Sequence, residues 1–126
     1  MDAKFLTDLE CRLVHSGWWR RTWELTAPLR YYSDVVDEVI EVPLGFRMDF
    51  ASVPRIPIIW WIYGGIMQRP AAIHDWIYHK KLYPRRTGDL IFREAVGVDG
   101  GGPVICNSMY AGVRLGGHWA YGRNDG

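Results

Sequence analysis

The sequence predicts an α+β fold, with a small N-terminal antiparallel β-sheet followed by about three C-terminal helices. Three observations carry that prediction. From Val36 the chain alternates, with Ile40, Val42, Leu44 and Phe46 on one face and Glu41, Pro43 and Gly45 on the other, the period-two pattern of a half-buried strand. Near residue 68 the character changes from strand-like to helix-like. Beyond that point, helix formers recur between recognisable start and stop residues.

Around Cys11 to Val14 and from Thr22 to Tyr31, β-branched and aromatic residues mark extended segments, and Trp23 and Leu25 share one side of a strand. Gly17 lies in the loop between them. Pro28 and Pro43 each lack a ladder donor, which makes both strands edge-like or bulged at those points. The run from Arg47 to Pro57 reads as an ordered, irregular crossing, a kind of segment that often carries function. Pro70 suits the first turn of a helix, followed by Ala71 to Lys80 with basic residues at the C-terminal end. Thr87 is a candidate N-cap for a second helix to Val96, with Leu90, Ile91, Phe92 and Ala95 forming its apolar side. Asp99 to Pro103 ends that helix and opens a third, from about Val104 to Leu115, which Gly116-Gly117 should stop. These bounds describe one domain over residues 1–126, β-rich over 1–55 and helical over 68–117. The tail covers 118–126, and from Tyr121 to Gly126 it is expected to be mobile unless another chain holds it.

The 126 residues are 48% hydrophobic and 23% charged, which lies in the globular range and supplies enough apolar surface for one core. A net charge of +1 creates no chain-wide field for phosphates, so dedicated nucleic-acid binding is not expected. Cys11 and Cys106 stand near opposite ends and form neither a disulfide framework nor a paired zinc motif. Acidic residues run through the first ten positions, where a signal peptide would need an apolar core, so synthesis in the cytoplasm is expected. The most apolar stretch, Ile56 to Met67, falls short of the roughly 20 residues of a membrane span and contains Pro57 and Gly64-Gly65. It reads as a segment covered by the fold or by a partner, and the alternative is a Trp-rich patch that touches a membrane interface.

Two motifs stand out: Val42-Pro-Leu-Gly-Phe-Arg-Met-Asp-Phe-Ala-Ser-Val-Pro-Arg55 and Ala72-Ile-His-Asp-Trp-Ile-Tyr78. With Asp89-x-x-Phe92 and Val113-Arg-Leu-Gly-Gly117, they make a pattern that resembles domain-of-unknown-function family 1353. The resemblance runs from about Thr22 to Trp119. It implies a bacteriophage or prophage origin, because members of that family occur mainly in such gene clusters, and it implies no activity. This sequence departs from the family at Gly88, where alanine usually precedes the aspartate, and in a third helix less basic and less rich in tryptophan.

His74 and Tyr78 are spaced to share one helix face, and Asp75 and His79 the next. A histidine can take a proton from water if a carboxylate fixes its tautomer, and a further carboxylate can hold a divalent cation that stabilises an oxyanion. By that logic His74 and Asp89 are the candidate catalytic pair. Asp49 and Asp75 are the candidate ligands of a cation such as calcium or zinc, with Ser52 and Tyr78 beside them. The order His-Asp-x-x-Tyr followed by a later aspartate also looks like the active-site helices of phospholipase A2 enzymes, in which the histidine is the base. There the neighbouring aspartate binds calcium with a glycine-rich loop. Here that loop would be Tyr63-Gly64-Gly65, shorter and poorer in glycine, and the crosslinking cysteines are absent.

The competing reading makes His74 a core histidine bonded to Asp89 or Asp49, with Asp49 and Ser52 capping backbone amides and Tyr78 packed on the sheet. Both readings expect Asp49, His74 and Asp89 to meet in space. The functional expectation is a virion component of tail or baseplate, contacting other phage structural proteins through Trp18-Trp19, Trp60-Trp61 and Trp119. The alternative is a small metal-assisted hydrolase acting on cell-envelope lipid or peptidoglycan during entry or lysis.

Overall fold

A computed structural model of the chain describes the backbone of residues 2–16, 21–48 and 57–123, and the side chains of 2–14, 22–48 and 68–115. Among the described residues six strands precede three helices: β1 (Lys4–Phe5), β2 (Cys11–Ser16), β3 (Arg21–Leu25), β4 (Leu29–Ser33), β5 (Glu38–Val42), β6 (Arg47–Met48), α1 (Pro57–Lys80), α2 (Arg85–Val98) and α3 (Pro103–Arg123). The strands form two antiparallel sheets, ordered β1-β4-β5 and β2-β3-β6, where the sequence suggested one. Pro28 accounts for the division. The expected segment from Thr22 to Tyr31 breaks before this donor-less residue, and its halves join different sheets.

In the second half of the β region the alternation holds as far as Pro43. Ile40 and Val42 are buried on one face of β5, opposite Tyr31 and Leu29 of β4. Leu44, expected on that face, is 63% exposed, because the strand ends before Pro43 and the chain turns at Gly45 with φ of 91°. Phe46 regains the inner side and meets Trp76 edge-on at 5.1 Å between ring centres.

The helices are longer than the sequence suggested. Pro70 lies inside α1 and not in its first turn. An interior proline removes one helix hydrogen bond, yet Pro70 to Ile73 are all buried, so packing outweighs that loss. Lys81, at φ of 52°, turns the chain out of α1, and His79 and Lys80 place basic groups at its negative end. The second helix begins at Arg85 after Pro84, so Thr87 falls within the first turn and is not the N-cap. Its apolar side shifts by one position: Ile91, Phe92, Ala95 and Val96 are buried, while Leu90 is only half-buried. Gly100, at φ of 107°, lets Gly101 N–H reach back to the Val96 carbonyl at 2.9 Å and closes α2. The last helix then runs through Gly116-Gly117 to Arg123, into the stretch expected to be tail. Residues 124–126, Trp18-Trp19 and residues 49–56 of the expected crossing lie outside the described residues, as do the side chains of Trp60, Trp61 and Trp119. Among the described residues, no helix is long and apolar enough to cross a membrane.

One core joins the two halves. Leu29, Tyr31, Ile40 and Val42 meet Ile73 and Ile77 of α1, Ile91, Phe92, Ala95 and Val96 of α2, and Met109 and Val113 of α3. The helical contributors fall at spacings of three and four, the apolar stripe of helices packed on one side. Gly88 sits where α2 crosses α1, and a Cβ there would come within 2.9 Å of Ile77 Cγ2. A methyl group at this position would force Ile77 or the helix crossing to shift.

Two polar clamps fasten the helices to the strands. Glu94 of α2 accepts the Tyr31 hydroxyl at 2.7 Å and the buried Ser33 hydroxyl at 2.8 Å on Oε1. Its Oε2 accepts the backbone N–H groups of Asp34 and Val35 at 3.1 and 3.2 Å. Arg69 of α1 grips Asp99 with two nitrogens, donates to the Thr7 carbonyl at 3.2 Å and lies over the Phe5 ring at 4.3 Å. These contacts hold the short β1 segment against α1 and the end of α2.

Glu94→Ala should lower stability by about 2–4 kcal/mol in urea denaturation, because it strands several donors that the fold turns inward. Glu94→Gln, which keeps one acceptor oxygen, should lose less. Equal stability of wild type and Glu94→Ala would show that the clamp contributes nothing.

Candidate functional site

The His-Asp-x-x-Tyr motif lies on α1, and helical spacing brings His74 and Tyr78 to the same face one turn apart. That face meets α2 at Asp89. The buried Asp89 carboxylate is the meeting point of three helices: Oδ1 accepts His74 Nε2–H at 2.7 Å and the Tyr78 hydroxyl, and Oδ2 accepts Arg114 Nη1–H of α3 at 3.0 Å. The His74 ring is packed by Tyr78 at 4.1 Å and Phe92 at 4.8 Å between ring centres. His74 is 1% exposed and Asp89 0%, whereas Arg114 is 34% exposed along its side chain. Arg85, in the first turn of α2, donates Nη2–H to the carbonyls of Val113 and Arg114 at 2.9 and 2.5 Å. Its Nε is buried with no hydrogen-bond partner among the described residues.

The charges of this cluster follow from burial and partners. Burial pushes the His74 imidazole below its ordinary value of 6.5, more strongly than the bond to Asp89 raises it, and the nearby Arg85 adds to the downward push. Burial alone would raise Asp89, but hydrogen bonds from His74, Tyr78 and Arg114 together hold its carboxyl below the usual carboxylate value. Burial, followed by donation to Asp89, raises the Tyr78 hydroxyl. The consistent state is a neutral imidazole donating through Nε2 to an ionised carboxylate whose charge is met by Arg114. Three donors satisfy one carboxylate, and Arg114 lets the charge reach the protein surface.

The structure thus brings together His74, Asp89 and Tyr78 of the expected set. Tyr78 does more than pack, since its hydroxyl is part of the cluster. Asp75 follows His74 by about 100° around the helix axis; it is half-buried and engaged in contacts of its own. His79 is exposed and lies near Phe46 and Trp76, at 5.6 and 6.2 Å between ring centres. Asp49 and Ser52 lie outside the described residues, and with them the expected meeting of Asp49 with His74. Among the described residues, no group of three or more His, Cys, Asp or Glu side chains is disposed to hold a metal ion. Both cysteines are free thiols, and burial raises that of Cys11.

Arg114 and Arg85 were not anticipated. A signal existed for the first: between Pro103 and Val113 the third helix has no charged residue, so Arg114 is the first charge on an otherwise neutral stretch. Nothing local marks Arg85, whose partners are backbone carbonyls of another helix.

A family model described as "Protein of unknown function (DUF1353)" matches residues 23–113, from β3 to the Val113 turn of α3. His74, Tyr78 and Asp89 fall within that span, and Arg114 lies one residue beyond it. No curated protein and no solved structure matches the chain.

His74→Ala should cost about 1–3 kcal/mol of stability, since Asp89 loses one of three donors and stays buried. Asp89→Ala should cost more, about 3–5 kcal/mol, because it leaves His74, Tyr78 and Arg114 without their common acceptor. Urea denaturation of the two variants checks the order, and a more stable Asp89→Ala variant would refute the clamp. The pH dependence has a definite sign. His74 stays neutral in the fold while the unfolded chain takes up a proton below 6.5, so stability falls as pH drops below that value. The His74 contribution has a limiting slope of about 1.4 kcal/mol per pH unit, and His74→Gln should remove it. An unchanged pH profile in that variant would contradict a neutral buried imidazole.

Proposed function

From a chain that belongs to the DUF1353 family, we propose a structural and interaction component of a bacteriophage particle, placed in the tail or baseplate, with His74 and Asp89 acting as an internal clamp. The observation that carries this reading is closure: His74 and Asp89 are 1% and 0% exposed, and the carboxylate has three donors from two other helices. A catalytic pair needs a position where water or substrate can stand beside the base. A clamp needs the reverse, full satisfaction away from solvent.

Surface chemistry supports the interaction role. Val104 and Leu115 of α3 are 76% and 80% exposed, and the helix face between them carries Asn107, Ser108, Ala111 and Gly112, all exposed and uncharged. An exposed helix face without charges, with a large apolar side chain at each end, is a surface that another chain can cover at little desolvation cost. The phage setting is what the family resemblance implies, with synthesis in the host cytoplasm followed by incorporation into the virion. Other phage structural proteins are the proposed partners, and contact with the cell envelope would follow from a tail or baseplate position.

A second reading keeps the metal-assisted hydrolase of envelope lipid or peptidoglycan. It is favoured by the 2.7 Å contact between His74 Nε2 and Asp89 Oδ1, in which a carboxylate fixes the imidazole tautomer as in a general-base pair. On this reading the cluster must open before His74 can meet water.

Quantitative mass spectrometry of purified particles from a phage encoding this chain tests the structural reading. A fixed copy number per particle is expected, and absence from particles that are otherwise complete would overturn it. The hydrolase reading is tested by incubating the protein with phospholipid vesicles or peptidoglycan in the presence of calcium or zinc. Turnover that disappears in a folded His74→Ala variant would replace the clamp with catalysis, whereas no turnover is expected here.

A further inference from the structure

We draw no further inference here: the strongest candidate, the uncharged outer face of α3 between the exposed Val104 and Leu115, is an unpartnered helix surface lined by small residues, and nothing in the structure shows what covers it.

Discussion

A carboxylate with no exposed surface sits where three helices meet, and the arrangement of the helical half follows from the need to satisfy it. Asp89 draws one donor from each of two positions on α1 and one from α3. An ionised group placed there without partners would cost several kcal/mol, so the helices are held to the few packings that deliver all the donors at once. Apolar stripes alone would permit sliding along α2. Donors reaching Asp89 from both α1 and α3 oppose that sliding, because each shift would strand part of a buried carboxylate.

The same physical device recurs where the helices meet the strands. Glu94 gathers two hydroxyls and two backbone N–H groups from β4 and the turn that follows it. Arg69 gathers a carboxylate at the end of α2 and a carbonyl beside β1. In each case one long side chain satisfies polar groups from segments distant in sequence. The surface pair of Arg30 with Glu41 is largely hydrated and contributes far less. Among the described residues the strands are short and the two sheets small, and these inward clamps add ties between strands and helices.

Closure at Asp89 also bears on chemistry. The His-Asp contact has the distance and the tautomer of a general-base pair, yet the features that would make it reactive are turned inward. Tyr78 and Arg114 occupy carboxylate lone pairs, aromatic rings pack the imidazole, and burial keeps it neutral. A His-Asp-x-x-Tyr motif can therefore be packed as a polar core. Exposure of the base, and not the identity of the residues, separates the two uses.

By itself the sequence determined the order of strands before helices, the inward face of β5 at Ile40 and Val42, and the placement of His74 and Tyr78 on one helix face. These are consequences of local periodicity, two residues in a strand and 3.6 in a helix. The tertiary structure decided what periodicity leaves open. It divided the strands between two sheets at Pro28, carried α1 through Pro70 and α3 through Gly116-Gly117, and chose Arg114 and Arg85 as partners for the cluster. Proline and glycine state a local cost, but whether that cost is outweighed depends on packing against residues far away in the chain. A buried carboxylate likewise announces that it needs donors, while only the assembled helices determine which donors lie within 3 Å of it.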